Sequence, residues 1–267
     1  RGENGQPALV LRYKSGSSRI GFLHRDGSDL PVNQSAFGTG FAVIPRYLLI
    51  YGTPEQIPWE VQYSLNATRY VGRLDLTGTA LENYVRALMN NWNDGAADLA
   101  SALVWSADHG PADITCLMRE AIASPVVQKL RTDLTIGPNT QYLDGSKPGT
   151  ATVKTLIEHL SAMRPGFILT TSHGMTGPLD NLEQMAAQMG ALVDSDHSLV
   201  SPNDILENWK PGGAVWYAHA CCSAGSDAHT LFDGLVEADS LVDQVLKGIA
   251  KAGARVSPLP NALLGAS

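Results

Sequence analysis

Apolar residues along the chain follow two distinct spacings. Short unbroken apolar runs predict strands covered on both faces, while recurrence at i, i+3, i+4 and i+7 predicts helices with one buried stripe. The runs are Arg46–Gly52, closed by its glycine, Ala100–Ala107, Phe167–Thr171 (FILTT) and Ala214–Ala218 (AVWYA). Shorter strands are expected at Arg69–Leu76 and Gln141–Asp144. Leu81, Tyr84, Val85, Leu88, Met89 and Trp92 share one helical face, which predicts a helix over about 80–92. The segment Thr79 to Glu82 has the S/T-x-x-E form of a capping box at its start. Further helices are predicted from Asp113 to about Leu130 with a break at Ser124-Pro125, over Val153–Met163 up to Pro165-Gly166, near Asn181–Met189 and over Ser240–Ala252. Pro54 and Pro58 are expected to stop any helix behind the first run. Up to about residue 45 the chain is Gly- and Ser-rich, with short strand candidates at Ala8–Tyr13 and Phe41–Ile44, and reads as an irregular or β-rich entry.

Strands alternating with helices of ten or more residues imply right-handed crossovers and a mostly parallel sheet covered on both faces, the α/β class in its α/β/α sandwich form. The turn signal Asn93-Asp94-Gly95 is the internal boundary. It divides an N-terminal α/β subdomain, residues 1–95, from residues 96–267, where the alternation becomes regular.

With 267 residues, 44% of them apolar, the chain has enough material for a substantial buried core. Its net charge of -7 leaves no basic surface for a phosphate backbone, which excludes direct nucleic-acid contact as the main activity. No apolar run reaches the length of a membrane span, and Arg1–Pro7 lacks the apolar stretch of a signal peptide, so neither membrane association nor secretion is expected. The chain opens on Arg1 and closes on Gly265-Ala266-Ser267, which reads as a domain cut from a longer polypeptide whose regulatory part lies elsewhere. Three cysteines, two of them adjacent, make a poor disulfide framework and suit a reducing, cytoplasmic environment.

Those cysteines also open the chemical question. In a sheet of this class, reactive groups collect where strands end at their carboxyl edge. FILTT runs into Ser172-His173-Gly174, and AVWYA runs into His219-Ala220-Cys221-Cys222-Ser223-Ala224-Gly225. If the two strands are parallel neighbours, an imidazole and a thiol arrive at one edge, as covalent catalysis by cysteine requires. A thiol is only slightly ionised at neutral pH, so an adjacent imidazole raises its reactive fraction. His173 is therefore the candidate base and acid and Cys221 the candidate nucleophile, with the Gly174 and Cys221 amides as the candidate oxyanion hole.

Adjacent side chains on an extended segment point in opposite directions, so Cys222 is expected to pack inward. Cys116, at an apolar position of a predicted helix, reads as core. A metal site built from His219, Cys221 and Cys222 lacks zinc-ligand spacing and a fourth ligand, so no metal is assigned. His24, His109, His159, His197 and His229 read as ordinary loop residues, with His197 and His229 near enough in sequence to touch substrate. Trp105, Trp209 and Trp216 read as core or loop anchors. No G-x-G-x-x-G or P-loop points to a nucleotide, and no cofactor is expected.

At His173-Gly174 and Ala220-Cys221-Cys222-Ser223-Ala224, 48 residues apart from His to Cys, the chain resembles the caspase-like (clan CD) cysteine peptidases, in particular their bacterial CHAT-domain and gingipain-like branches. Looser likeness extends upstream through Tyr47–Gly52, Ile57-Pro58 and Val71–Leu74, so that about residues 46–264 are covered. The resemblance implies a caspase-hemoglobinase fold and a cysteine endopeptidase working through an acyl-enzyme. It further implies a protein or peptide substrate in a bacterial defence or cell-death system, a gasdermin-like effector being one candidate, and a regulatory domain or activating partner. Arginine-cleaving relatives carry an aspartate after the Ile-Pro turn, where this chain reads Ser64–Arg69 without an acid. Asp194, Asp196 and Asp227, in the loops nearest the motifs, are the candidates for a substrate pocket, and a small or apolar residue before the cut is equally open. The competing reading is a catalytically silent caspase-like scaffold or protein-binding module.

Overall fold

Residues 9–16, 20–31, 36–38 and 43–266 are described in a computed structural model of the chain. Their contacts divide the chain between Asp75 and Leu76 into two units. The predicted short strands reached back to Ala8 and Phe41, which lie outside the described residues.

In the first unit, β1 (Arg12–Tyr13), β2 (Gly21–Leu23) and β3 (Asp29–Pro31) form an antiparallel meander. β4 (Ala36–Phe37) and β5 (Val43–Ile44) make a short parallel pair. β6 (Tyr47–Tyr51) and β7 (Tyr70–Leu74) run parallel, joined by α1 (Trp59–Asn66). Phe22, Leu30, Ile44, Val61 and Leu65 form the core here. Two expectations are corrected. Pro58 does not prevent a helix but stands immediately before α1, where its missing N–H is harmless. β6 is not covered on both faces: Ile50 is buried, but Tyr47, Leu49 and Tyr51 are exposed, because a two-stranded sheet with a single helix covers only one side.

The second unit carries the expected α/β architecture. Its elements in order are α2 (Gly78–Met89), β8 (Asp98–Ser106), α3 (Ile114–Met118), α4 (Ser124–Arg131), β9 (Thr140–Asp144), α5 (Val153–Met163), β10 (Pro165–Thr171), α6 (Leu182–Gln188), α7 (Pro202–Asn208), β11 (Val215–His219), β12 (Gly225–Ser226), α8 (Leu241–Ala250), β13 (Arg255–Val256) and α9 (Pro258–Gly265). The central sheet has the order β11-β10-β8-β9 with every pair parallel. Alternating side chains split between two faces. Leu103, Trp105 and Ile168 pack with Leu156 and Leu160 of α5 and Ile205 of α7. Val104 and Leu169 pack with Ala123 and Val127 on the other face. Full burial of a side chain of this size contributes roughly 1.5–3 kcal/mol, so these two clusters fix the register of the sheet.

Several sequence expectations shift. The helix predicted at 80–92 belongs to this unit rather than to residues 1–95, since the Asn83 amide donates to the Gly265 carbonyl at 3.0 Å and Ala80 faces Gly265, joining α2 to α9. Its capping box does not form: Thr77 is the cap and the helix starts at Gly78, ahead of Thr79. The break foreseen at Ser124-Pro125 is instead a π-helical turn over Arg119–Ala123 that runs straight into α4, with Pro125 directly behind the turn, where the change of hydrogen-bond register accommodates a residue without an N–H. β11 lies at the edge of the sheet, so Val215 and Tyr217 are exposed rather than buried. No helix among the described residues is long and apolar enough to cross a membrane.

Candidate active site

From β8 the chain crosses to β9 on one side of the sheet, whereas β10 and β11 lie on the other side of β8. The carboxyl ends of β8 and β10 therefore flank the point where the strand order reverses, the place at which sheets of this class open a crevice. The register there is tight. Thr171 of β10 pairs with His219 of β11 and with Ser106 of β8, and the buried hydroxyls of Ser106 and Thr171 are 2.7 Å apart. The Ser172 amide extends the ladder by donating to the His219 carbonyl at 3.2 Å. Two residues beyond the paired positions stand His173 and Cys221, delivered level with each other at the same sheet end.

The glycine after His173 sets the separation of the two segments. A Cβ on Gly174 would stand 1.8 Å from the Cys221 carbonyl oxygen, so only glycine allows this approach. Gly190, with φ +69°, makes the same kind of contact with the Cys222 carbonyl. A narrow hairpin, closed by the Met175 amide on Ala191 (2.9 Å) and the Val193 amide on His173 (3.1 Å), thus lies against the cysteine loop. From the other side the Ser257 hydroxyl donates to the Cys222 carbonyl at 2.6 Å. Neither the Gly174 nor the Cys221 amide donates to another described backbone group.

The two cysteines differ as their positions require. Cys221 is exposed, whereas Cys222 takes φ +53°, packs beside Met185 and Met189, and has its thiol pushed up by burial and by neighbouring Cys221. No hydrogen bond joins the Cys221 sulfur to the His173 ring among the described residues. Cys116 corrects the core expectation: it is half-buried and within 3.8 Å of Glu120 and 3.9 Å of Arg119.

The third member of the constellation is Asp113. It caps α3, accepting from the Thr115 amide (2.8 Å) and hydroxyl (2.6 Å), and its second oxygen lies 3.0 Å from His173 Nε2. The Thr115 hydroxyl first, and His173 after it, hold the Asp113 carboxyl well below the ordinary carboxylate range. An ionised carboxylate only accepts, so His173 Nε2 carries the proton and Nδ1 is left as the basic nitrogen. His109, which reaches the same edge from β8, stacks on His173 with centroids 5.3 Å apart and planes 7° apart, and His197 stacks on His109 at 4.2 Å. Sequence reasoning passed over Asp113 and His109. The available signals were an Asp cap at the start of a predicted helix and a histidine three residues beyond the end of β8, both at the edge where reactive groups gather.

The pocket acids fare differently. Asp194 is 2% exposed, and its carboxylate accepts the amides of Val153 (2.8 Å), Asp196 (2.9 Å) and Ser198 (2.8 Å). That side chain is committed to closing the 194–198 loop onto α5 and is not free to meet a basic substrate group. Asp196 is exposed, and Asp227 is half-buried with its carboxylate accepting from the Ala228 amide. An apolar cavity of about 510 Å³, lined by Tyr84, Trp92, Trp209, Trp216 and Leu263, reaches Ser223, two residues past the nucleophile candidate. His219, Cys221 and Cys222 do not gather as metal ligands among the described residues, whereas ligand atoms of His109, Asp113 and His173 lie within 4.8 Å of one another. Comparison with protein-family models, with curated proteins and with solved structures finds no match to the chain.

Proposed function

We propose that the chain is a caspase-like cysteine endopeptidase of the CHAT or gingipain-like kind. The observation that carries the reading is the level arrival of His173 and Cys221 at one sheet end, with Gly174 against the Cys221 backbone and Asp113 bonded to His173. His173 Nδ1 takes the Cys221 thiol proton, and the thiolate attacks the scissile carbonyl carbon. The Gly174 and Cys221 amides receive the resulting oxyanion, while Asp113 fixes the tautomer and stabilises the imidazolium. As the intermediate collapses, the C–N bond breaks, Nδ1–H delivers its proton to the leaving amine, and a thioester remains on Cys221. Water then attacks the thioester, giving its proton to Nδ1, and the acid product leaves as the thiol is restored.

The occupied carboxylate of Asp194 and the aromatic cavity beside Ser223 favour an apolar or small substrate residue over a basic one. The open thiol–imidazole pair suits an enzyme closed by an activating partner or regulatory domain, because catalytic hydrogen bonds often tighten only once substrate is bound. By family resemblance we place the activity in the bacterial cytoplasm, acting on a defence or cell-death effector such as a gasdermin-like protein. Cleavage profiling of a peptide library with wild type, Cys221→Ala and His173→Ala tests the reading. Cleavage is expected from wild type alone, and cleavage that survives Cys221→Ala removes the mechanism and leaves the silent-scaffold alternative.

A further inference from the structure

His109 stands out among the histidines. Its side chain is 5% exposed, and its Nε2 lies 2.8 Å from the Asp194 carbonyl oxygen, which can only accept. Nε2 therefore carries a proton, and in the neutral ring Nδ1 presents a lone pair. That nitrogen is fully buried, has no hydrogen-bond partner and points toward Asp113 Oδ1, 4.0 Å away. The other Asp113 oxygen meets His173 Nε2 at 3.0 Å. A buried lone pair facing a carboxylate is a costly arrangement unless something electron-poor lies between them.

We propose that His109 Nδ1, the Asp113 carboxylate and His173 Nε2 form a site for a single divalent ion of the zinc class, with a fourth position open to water. Two imidazole nitrogens with one carboxylate suit Zn²⁺ or Co²⁺ rather than the oxygen-seeking Mg²⁺ or Ca²⁺. Zinc–nitrogen bonds of about 2.0–2.1 Å set tetrahedral ligand atoms about 3.3 Å apart. His173 Nε2 to Asp113 Oδ2, at 3.0 Å, is already near that spacing, whereas His109 Nδ1 stands 4.0 Å from the other oxygen, Oδ1, and the three ligand atoms, all within 4.8 Å of one another, must draw together. The two rings are parallel within 7°, so one of them must turn to aim at a shared ion. His173 is free to do so, with a side chain 36% exposed, while His109 is held between two rings and by the Asp194 carbonyl.

One consequence rests on the peptidase reading of the previous subsection. An ion on Nε2 selects the tautomer of His173 whose proton has moved from Nε2 to Nδ1, which leaves Nδ1 no lone pair to take the Cys221 thiol proton, so occupancy silences the enzyme and a chelator restores it. The ion site itself stands on the three side chains alone, and its test does not use activity.

The test titrates the full chain with Zn²⁺ against a chromophoric chelator and records the visible spectrum with Co²⁺. One saturable ion is expected, with bands of nitrogen and oxygen ligation and no thiolate charge-transfer band. His109→Ala weakens binding by about 100-fold or more, beyond the loss expected for a residue that merely orients a ligand. His109→Phe, which keeps the ring stack but has no nitrogen, does the same if His109→Ala folds poorly. Cys221→Ser binds as wild type does. Absence of saturable binding, binding indifferent to both His109 variants, or binding lost with Cys221→Ser overturns the site. Zinc bound as expected without loss of peptidase activity in an enzyme whose Cys221 is shown to be the nucleophile overturns only the silencing.

Discussion

Gly174→Ala is the sharpest perturbation available, because it changes one methyl group and leaves every proposed catalytic atom in the chain. That methyl would stand 1.8 Å from the Cys221 carbonyl oxygen, 2.8 Å from the carbonyl carbon and 2.9 Å from the amide nitrogen. All three are backbone atoms, so no side-chain rotation relieves the contact. Separations under 3.0 Å do not occur for real Cβ atoms, and the shortfall of the closest contact requires the segments to part by at least about 1.2 Å. The hairpin bonds from Met175 and Val193 hold Gly174 on one side, and the Ser257 hydroxyl holds the cysteine loop on the other. Overpacking of this kind costs about 1–3 kcal/mol of stability. A displacement of about 1 Å between reacting groups costs on the order of 100-fold in rate, or about 2.7 kcal/mol. Peptide cleavage and urea denaturation should be measured together, with Gly212→Ala as the control, since a Cβ there meets nothing closer than 3.4 Å. The expected result is a rate loss of about 100-fold in protein that remains folded at the assay temperature. Wild-type turnover in Gly174→Ala would refute the close approach and the oxyanion hole built on it.

Asp194→Ala should lower stability by about 2–4 kcal/mol, because three amides in or beside a buried loop lose one acceptor, and it should leave residue preference before the cut unchanged. A shift in preference, read by library profiling, would restore Asp194 as a pocket residue. Thr115→Val removes the strongest influence holding the Asp113 carboxyl down. A depressed carboxyl stabilises the fold above its unfolded value and loses that contribution as pH falls through the folded value. The Thr115→Val deficit should therefore be full at neutral pH and shrink as pH falls below about 3.8, which paired denaturation curves would measure. Iodoacetamide at pH 7 should alkylate Cys221 well before Cys222, whose thiol burial keeps protonated, and timed peptide mapping reads the order.

The strands and helices of the second unit were legible because burial imposes a period on the sequence. Ala102–Trp105 and Phe167–Leu169 are apolar without interruption since both faces of the sheet are covered there. The same reasoning misjudged Val215–His219 and Tyr47–Tyr51, where apolar runs of similar quality lie on an edge and in a two-stranded pair. A local pattern reports that a segment is extended but not how many neighbours it has. The candidate dyad was legible because His173 and Cys221 both follow short apolar runs. Asp113 and His109 were not, because their part depends on β8 being inserted between β9 and β10, a fact of topology that no local spacing carries. The loss of Asp194 as a pocket acid has the same origin: its three amide partners span positions 153 to 198 and meet only in the folded chain.

The central claim is that Cys221 is a nucleophile activated by His173. Its most direct test is covalent capture with a peptidyl chloromethyl ketone carrying an apolar residue before the reactive carbon, applied to the chain and read by mass spectrometry of the labelled peptide. One adduct on Cys221, formed far faster than on Cys116 and abolished in His173→Ala, is the predicted result. Labelling of Cys221 no faster than Cys116, or undiminished in His173→Ala, would contradict the claim.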